Sequence, residues 1–151
     1  MGTMEAPFPS SAWFVELVAR ATADPAALER LGIADLRLGV EVLIPDAFAE
    51  FFGLVLDGYD IAVVGPTGEE DFSPDVVVSG PLDAWREMVD WIEEHGPADS
   101  AHSLNGLTIA GIPLVARSED AMGSDKFYRF MGTVQAIFDA AGAPAPVTAG
   151  A

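Results

Sequence analysis

Asp75-Val76-Val77-Val78-Ser79-Gly80-Pro81-Leu82 is the stretch on which the fold turns. Three consecutive valines with a small Ser-Gly exit read as a buried strand, because β-branched side chains fit a pleated surface. Pro81 then suits the first position of a helix. Leu82, Trp85, Val89 and Ile92 follow at offsets of three and four, with Asp83, Glu87, Asp90, Glu93 and Glu94 between them. That is one apolar stripe and one wet face, and it predicts an amphipathic helix ending at His95-Gly96-Pro97.

Upstream, Leu36, Leu38, Val40, Val42 and Ile44 alternate with Asp35, Arg37, Gly39 and Glu41, as in a strand with one buried face. Glu50 to Leu56 alternates again, with Phe52, Leu54 and Leu56 on one side. Asp57-Gly58 is a hairpin signal leading into Tyr59–Val64. Strands joined by tight turns imply antiparallel pairing. Before them, Ser10-Ser11 caps a helix over Ser11–Ala23 carrying Trp13, Leu17 and Ala21. Asp24-Pro25 opens a shorter one to Leu31, stopped by Gly32.

Downstream, Leu107–Ile112 and Leu114–Arg117 read as strands separated by Pro113, and Gly65–Asp71 as an exposed loop. Asp125–Ala141 reads as a last helix with Phe127, Phe130, Met131, Val134, Ile137 and Phe138 on one broad face. The Ala/Pro/Gly-rich tail from Gly142 is expected to fray. At 151 residues, without repeat or linker, the chain is one domain over residues 1–151.

Composition narrows the function. The chain has no cysteine, which excludes a thiol nucleophile and thiolate metal sites. Neither a signal peptide nor a long apolar run stands in the sequence, so the expectation is a soluble, cytoplasmic protein without stable membrane insertion. The formal charge is −17, and residues 51–100 contain Arg86 as their single basic side chain. Such a surface repels phosphate backbones, so no nucleic-acid partner is expected.

No pattern carries recognisable chemistry. His95, Asp99 and His102 are zinc-capable residue types, but Gly96-Pro97 breaks the helix that would align them, so no metal site is assigned. Ser100 and Ser103 lie beside His102 without a G-x-S-x-G elbow. Gly65-Pro66-Thr67-Gly68 lacks the lysine of a phosphate loop. No catalytic residue and no cofactor are assigned.

Helix, alternating strand, Asp-Gly hairpin, the Asp75–Leu82 strand-to-helix passage and Ala101-His102-Ser103-Leu104-Asn105-Gly106-Leu107-Thr108-Ile109-Ala110-Gly111 before a terminal helix together resemble the sterol carrier protein type two family. The resemblance runs from about Trp13 to Ala141. It implies an α/β fold (α+β): a curved, mostly antiparallel five-stranded sheet covered on one face by helices, with an apolar tunnel between the layers. By position, the tunnel lining would be Phe52, Leu54, Leu56, Trp85, Val89, Ile92, Phe127, Phe130, Met131 and Val134. The implied function is binding or transfer of a fatty acid, sterol or acyl chain, without enzymatic chemistry. Two alternatives stay open: an enzyme using a buried carboxylate, with Asp57, Asp60 and Asp75 as candidates, and an interaction module whose cavity is filled by Trp85, Trp91 and the phenylalanines. A homodimer is compatible with all three.

Overall fold

The computed structural model describes residues 4–143. Two helices lead, α1 (Ser11–Thr22) and α2 (Pro25–Leu31). Strands β1 (Ala34–Leu43), β2 (Glu50–Gly58) and β3 (Asp60–Val64) form a meander, followed by the one-turn helix α3 (Glu69–Phe72). Strand β4 (Val76–Pro81) runs into α4 (Leu82–His95). Helix α5 (Leu104–Thr108), strand β5 (Val115–Arg117) and helices α6 (Ala121–Arg129) and α7 (Met131–Asp139) complete the chain, with a 3-10 turn over Ala140–Gly142.

The five strands make one open sheet in the order β3-β2-β1-β4-β5. Three of its four pairings are antiparallel, and β1 with β4 is parallel. Gly58 turns the β2–β3 hairpin with a φ of +68°, a conformation glycine adopts without penalty. Alternation decides the faces. Leu36, Leu38, Val40 and Val42 of β1, Phe52, Leu54 and Leu56 of β2, and Val76 and Val78 of β4 all join one core with the helices. The opposite face carries a smaller cluster of Phe51, Phe72 and Val77. There the Phe72 ring of α3 lies so close to Gly53 that any Cβ would overlap it.

The helix starts are chemically marked. Ser10 Oγ accepts from Trp13 N at 3.0 Å, and Asp24 and Asp120 cap α2 and α6 in the same way. Trp85 Nε1 donates to Glu41 O at 3.1 Å and ties α4 to the sheet.

Four expectations are corrected. Leu107–Ile112 is not a strand: Ser103 Oγ accepts from Gly106 N and caps α5, and Thr108 Oγ1 donates back to Leu104 O. Those local bonds draw the backbone into a helical turn. The last helix is two, broken at Phe130 (φ −101°, ψ 15°), and it begins four residues early because Asp120 caps it. The loop at Glu69–Asp71 is the turn of α3. Gly142 belongs to the buried 3-10 turn; the rest of the expected frayed tail, from residue 144, lies outside the described residues.

Candidate functional site

The structure gathers the expected lining residues into one layer between the sheet and the helices. Phe52, Leu54 and Leu56 point up from β2. Trp85, Val89 and Ile92 point down from α4, Phe127 from α6 and Val134 from α7. Phe130 and Met131, at the break between α6 and α7, are half-buried against the same core.

This layer is filled. Leu54, Trp85, Ile92, Phe127 and Val134 have 0% of their surface accessible, and Phe52, Leu56 and Val89 keep 2% or less. A side chain beside a void wide enough for water retains accessible surface, whether that void is open or closed. Seven of the ten therefore touch no ligand-sized space, and the eighth, Val89, meets one only at the rim of a surface cleft. At the end of the layer a cleft lined by Leu28, Ala34, Leu56, Ile61 and Thr133 encloses about 10 Å³, at the threshold for a single water.

Residues outside the expected lining do much of the filling. Trp13 packs edge-on to Phe14 at 4.9 Å between ring centroids, and Phe14 reaches Phe52 at 4.9 Å. Phe138 lies 6.3 Å from Trp13 and 6.0 Å from Trp85. Phe8 closes this column from outside, 4.8 Å from Trp13. Trp13 and Phe138 were legible on the apolar stripes of their helices; Phe8 precedes any periodic run and carried no such signal.

Larger clefts open to solvent among the described residues. One, of about 420 Å³, is lined by Met4, Phe8, Trp13, Arg86, Val89 and Glu93, among others. The second, of about 290 Å³, lies at β4 and β5 beside Glu69, Asp75 and Arg117. Its centre is already paired: Arg117 Nη2 meets Glu69 Oε1 at 2.6 Å and Glu41 Oε1 at 3.5 Å.

The candidate carboxylates do not enter the interlayer. Asp57 and Asp60 are exposed at the hairpin. Asp75 Oδ2 accepts from Arg37 N at 2.8 Å and faces Lys126 Nζ at 3.6 Å. The acids with raised pKa are elsewhere. Burial pushes Asp139 up against the opposing hydrogen bonds from Ala98 N and Gln135 Nε2. Burial likewise raises Glu93, which accepts from Met4 N.

The two histidines sandwich an indole. His95 and His102 stack on Trp91 at 4.5 and 4.6 Å, and His102 Nδ1 meets Asp99 Oδ1 at 2.6 Å. Among the described residues no group of three or more His, Asp or Glu side chains converges to hold a metal, and no helix is long and apolar enough to cross a membrane.

No family model matches the chain, and no curated protein matches its sequence. Its fold is shared with a solved structure, the solution structure of a conserved hypothetical protein from Thermus thermophilus described as a candidate sterol carrier protein. The two superpose with a TM-score of 0.55 at 15% identity, over 99% of this chain and 97% of the other.

Proposed function

We propose that this chain, built on the fold of that candidate sterol carrier, binds an apolar small molecule between its sheet and its helices, as a carrier and not as a catalyst. Fatty acids, sterols and acyl chains are the ligand class. The observation that carries the reading is the interlayer itself, one apolar cluster that extends from Phe8 and Trp13 to Phe127 and Val134. Part of its roof is the pair of short helices α6 and α7, broken at Phe130, where the adaptable side chain of Met131 adjoins the core. The filled layer is then the unliganded, collapsed form, and a ligand enters by parting the roof from the sheet. Burying about 300 Å² of ligand contributes roughly 7.5 kcal/mol at 25 cal/mol per Å², before the costs of ordering and of displaced contacts.

The fully buried aromatic column favours a second reading, an interaction module that keeps the fold with a permanently filled core. Native mass spectrometry with solvent extraction separates the two. The carrier reading expects an apolar molecule at one-to-one, either co-purified or taken up from added fatty acid, alcohol or sterol. A protein that stays ligand-free with every such probe refutes it and leaves the interaction module.

A further inference from the structure

Residues 4–9 reach α1 as an irregular strap laid across α1 and α4. Met4 and Phe8 are buried and belong to the same core as Trp13 and Trp85. Phe8 lies 4.8 Å from Trp13, 6.1 Å from Phe14 and 6.4 Å from Trp85, so its ring is the outermost member of the aromatic column. The strap's backbone is held largely by side chains. Met4 N donates to Glu93 Oε1 at 2.8 Å, Glu5 N and Ala6 N donate to Glu16 at 3.0 Å, and Arg86 Nη2 donates to Phe8 O at 3.4 Å. The 420 Å³ cleft runs alongside, with the strap as one wall and buried Trp13 and Val89 in its lining.

The geometry points to a displaceable plug: the strap Met4–Pro9 occupies the mouth of the interlayer, and Phe8 and Met4 stand where the apolar part of a ligand goes. This rests on the carrier reading above and adds how the site opens. A segment fixed by two inserted side chains and a few side-chain hydrogen bonds lifts without breaking any strand ladder or helix, so it belongs to the low-stability end of the molecule. What it vacates is an apolar slot against Trp13 and Trp85, which a slim alkyl chain refills like for like. The polar rim sets Asp90 and Glu93 against Arg86 on a chain of net charge −17, so an uncharged, hydroxyl-ended chain suits it better than an anionic one.

The test exploits the absence of cysteine. In the full chain carrying Ala6→Cys, a half-buried position on the strap, alkylation by N-ethylmaleimide is timed with and without saturating decan-1-ol, with the circular dichroism required to stay native. The expected result is a rate at least ~10-fold higher with the alcohol bound. In parallel Phe8→Ala is expected to tighten the decan-1-ol Kd about 10-fold, because the binding-competent state no longer has to expel the ring. Decan-1-ol bound at one-to-one with an unchanged alkylation rate overturns the plug and leaves the carrier reading standing. An unchanged Kd in a folded Phe8→Ala variant overturns it equally. Absence of decan-1-ol binding to any variant overturns the plug, and if other apolar probes also fail, the carrier reading falls with it.

Discussion

Leu54→Ala distinguishes a packed interlayer from a tunnel. Leu54 sits mid-sheet on β2, opposite Leu38 of β1 and Val63 of β3, and none of its surface is accessible. Truncation there removes the transfer free energy of the lost atoms and leaves a cavity that the rigid sheet cannot close, for a total of about 3–4 kcal/mol. A leucine on the wall of a pre-existing tunnel faces part of its surface to a void already, so its truncation costs nearer ~1 kcal/mol by the same reasoning. For a chain of this length the packed case corresponds to a fall in Tm of roughly 6–15 °C. Urea titration followed by circular dichroism and tryptophan fluorescence gives the value, with the slope of the transition unchanged. Benzene, small enough for the new cavity, should recover part of the loss. A measured cost below about 1.5 kcal/mol would refute the description of this layer as filled.

Arg20 is buried in α1 and donates to Ala141 O at 3.3 Å, to Ala143 O at 2.7 Å and to Glu16 Oε2 at 2.9 Å. Arg20→Met keeps the bulk and loses those bonds, for an expected cost of roughly 2–4 kcal/mol in chemical denaturation. Gly53→Ala pushes a Cβ into the Phe72 ring and should cost about 1–3 kcal/mol; the added strain should shrink when Phe72→Leu is combined with it. Asp139 has a folded pKa raised above its ordinary 3.8, so the folded state binds the proton more tightly than the unfolded chain does. Its charged form therefore costs stability above the folded pKa, and the cost fades as pH falls from there toward 3.8. Asp139→Asn should raise the urea midpoint at pH 7 and lose that advantage at the lowest pH where the chain stays folded. At Glu16 burial pushes the pKa up, but the Glu5 and Ala6 amides and Arg20 together hold it below 4.5. Its contribution is present above 4.5 and is lost as pH falls through the folded value, so Glu16→Gln should weaken the fold at pH 7 and lose that effect in acid.

How far the fold was legible depended on where its determinants lie along the chain. Helix α2 is bounded by Asp24-Pro25 and Gly32, and β1 by its own alternation, so both are visible locally. Leu107, Ile109 and Ile112 misled for a physical reason. Ile109 and Ile112 are exposed, so their spacing reflects no buried strand face, whereas the cap at Ser103 was readable and decides the segment. The break at Phe130 has no proline to mark it. It arises because α6 packs on β1 and β4 while α7 packs on α1, α2 and α5. Of the candidate site, the apolar stripes were legible because periodicity reports which residues face inward. Whether the facing layers leave space between them depends on Trp13, Phe14, Phe138 and Phe8 arriving from distant segments, which no local pattern encodes. The strap is hidden for the same reason, its amides meeting carboxylates up to 89 residues away.

Strand β1 sits at the centre of the sheet, between an antiparallel neighbour reached through a short turn and a parallel neighbour reached only after the excursion 44–75. The meander β1-β2-β3 can therefore zip from local contacts, whereas β4 must close a long loop before it gains any pairing. Until it does, one side of β1 is an unpaired edge carrying Leu38, Val40 and Val42, the type of surface on which nascent chains associate. The parallel pairing thus sets a folding order, with the meander first and β4 arriving later with α4, and it places the chain's main aggregation hazard in the interval between them.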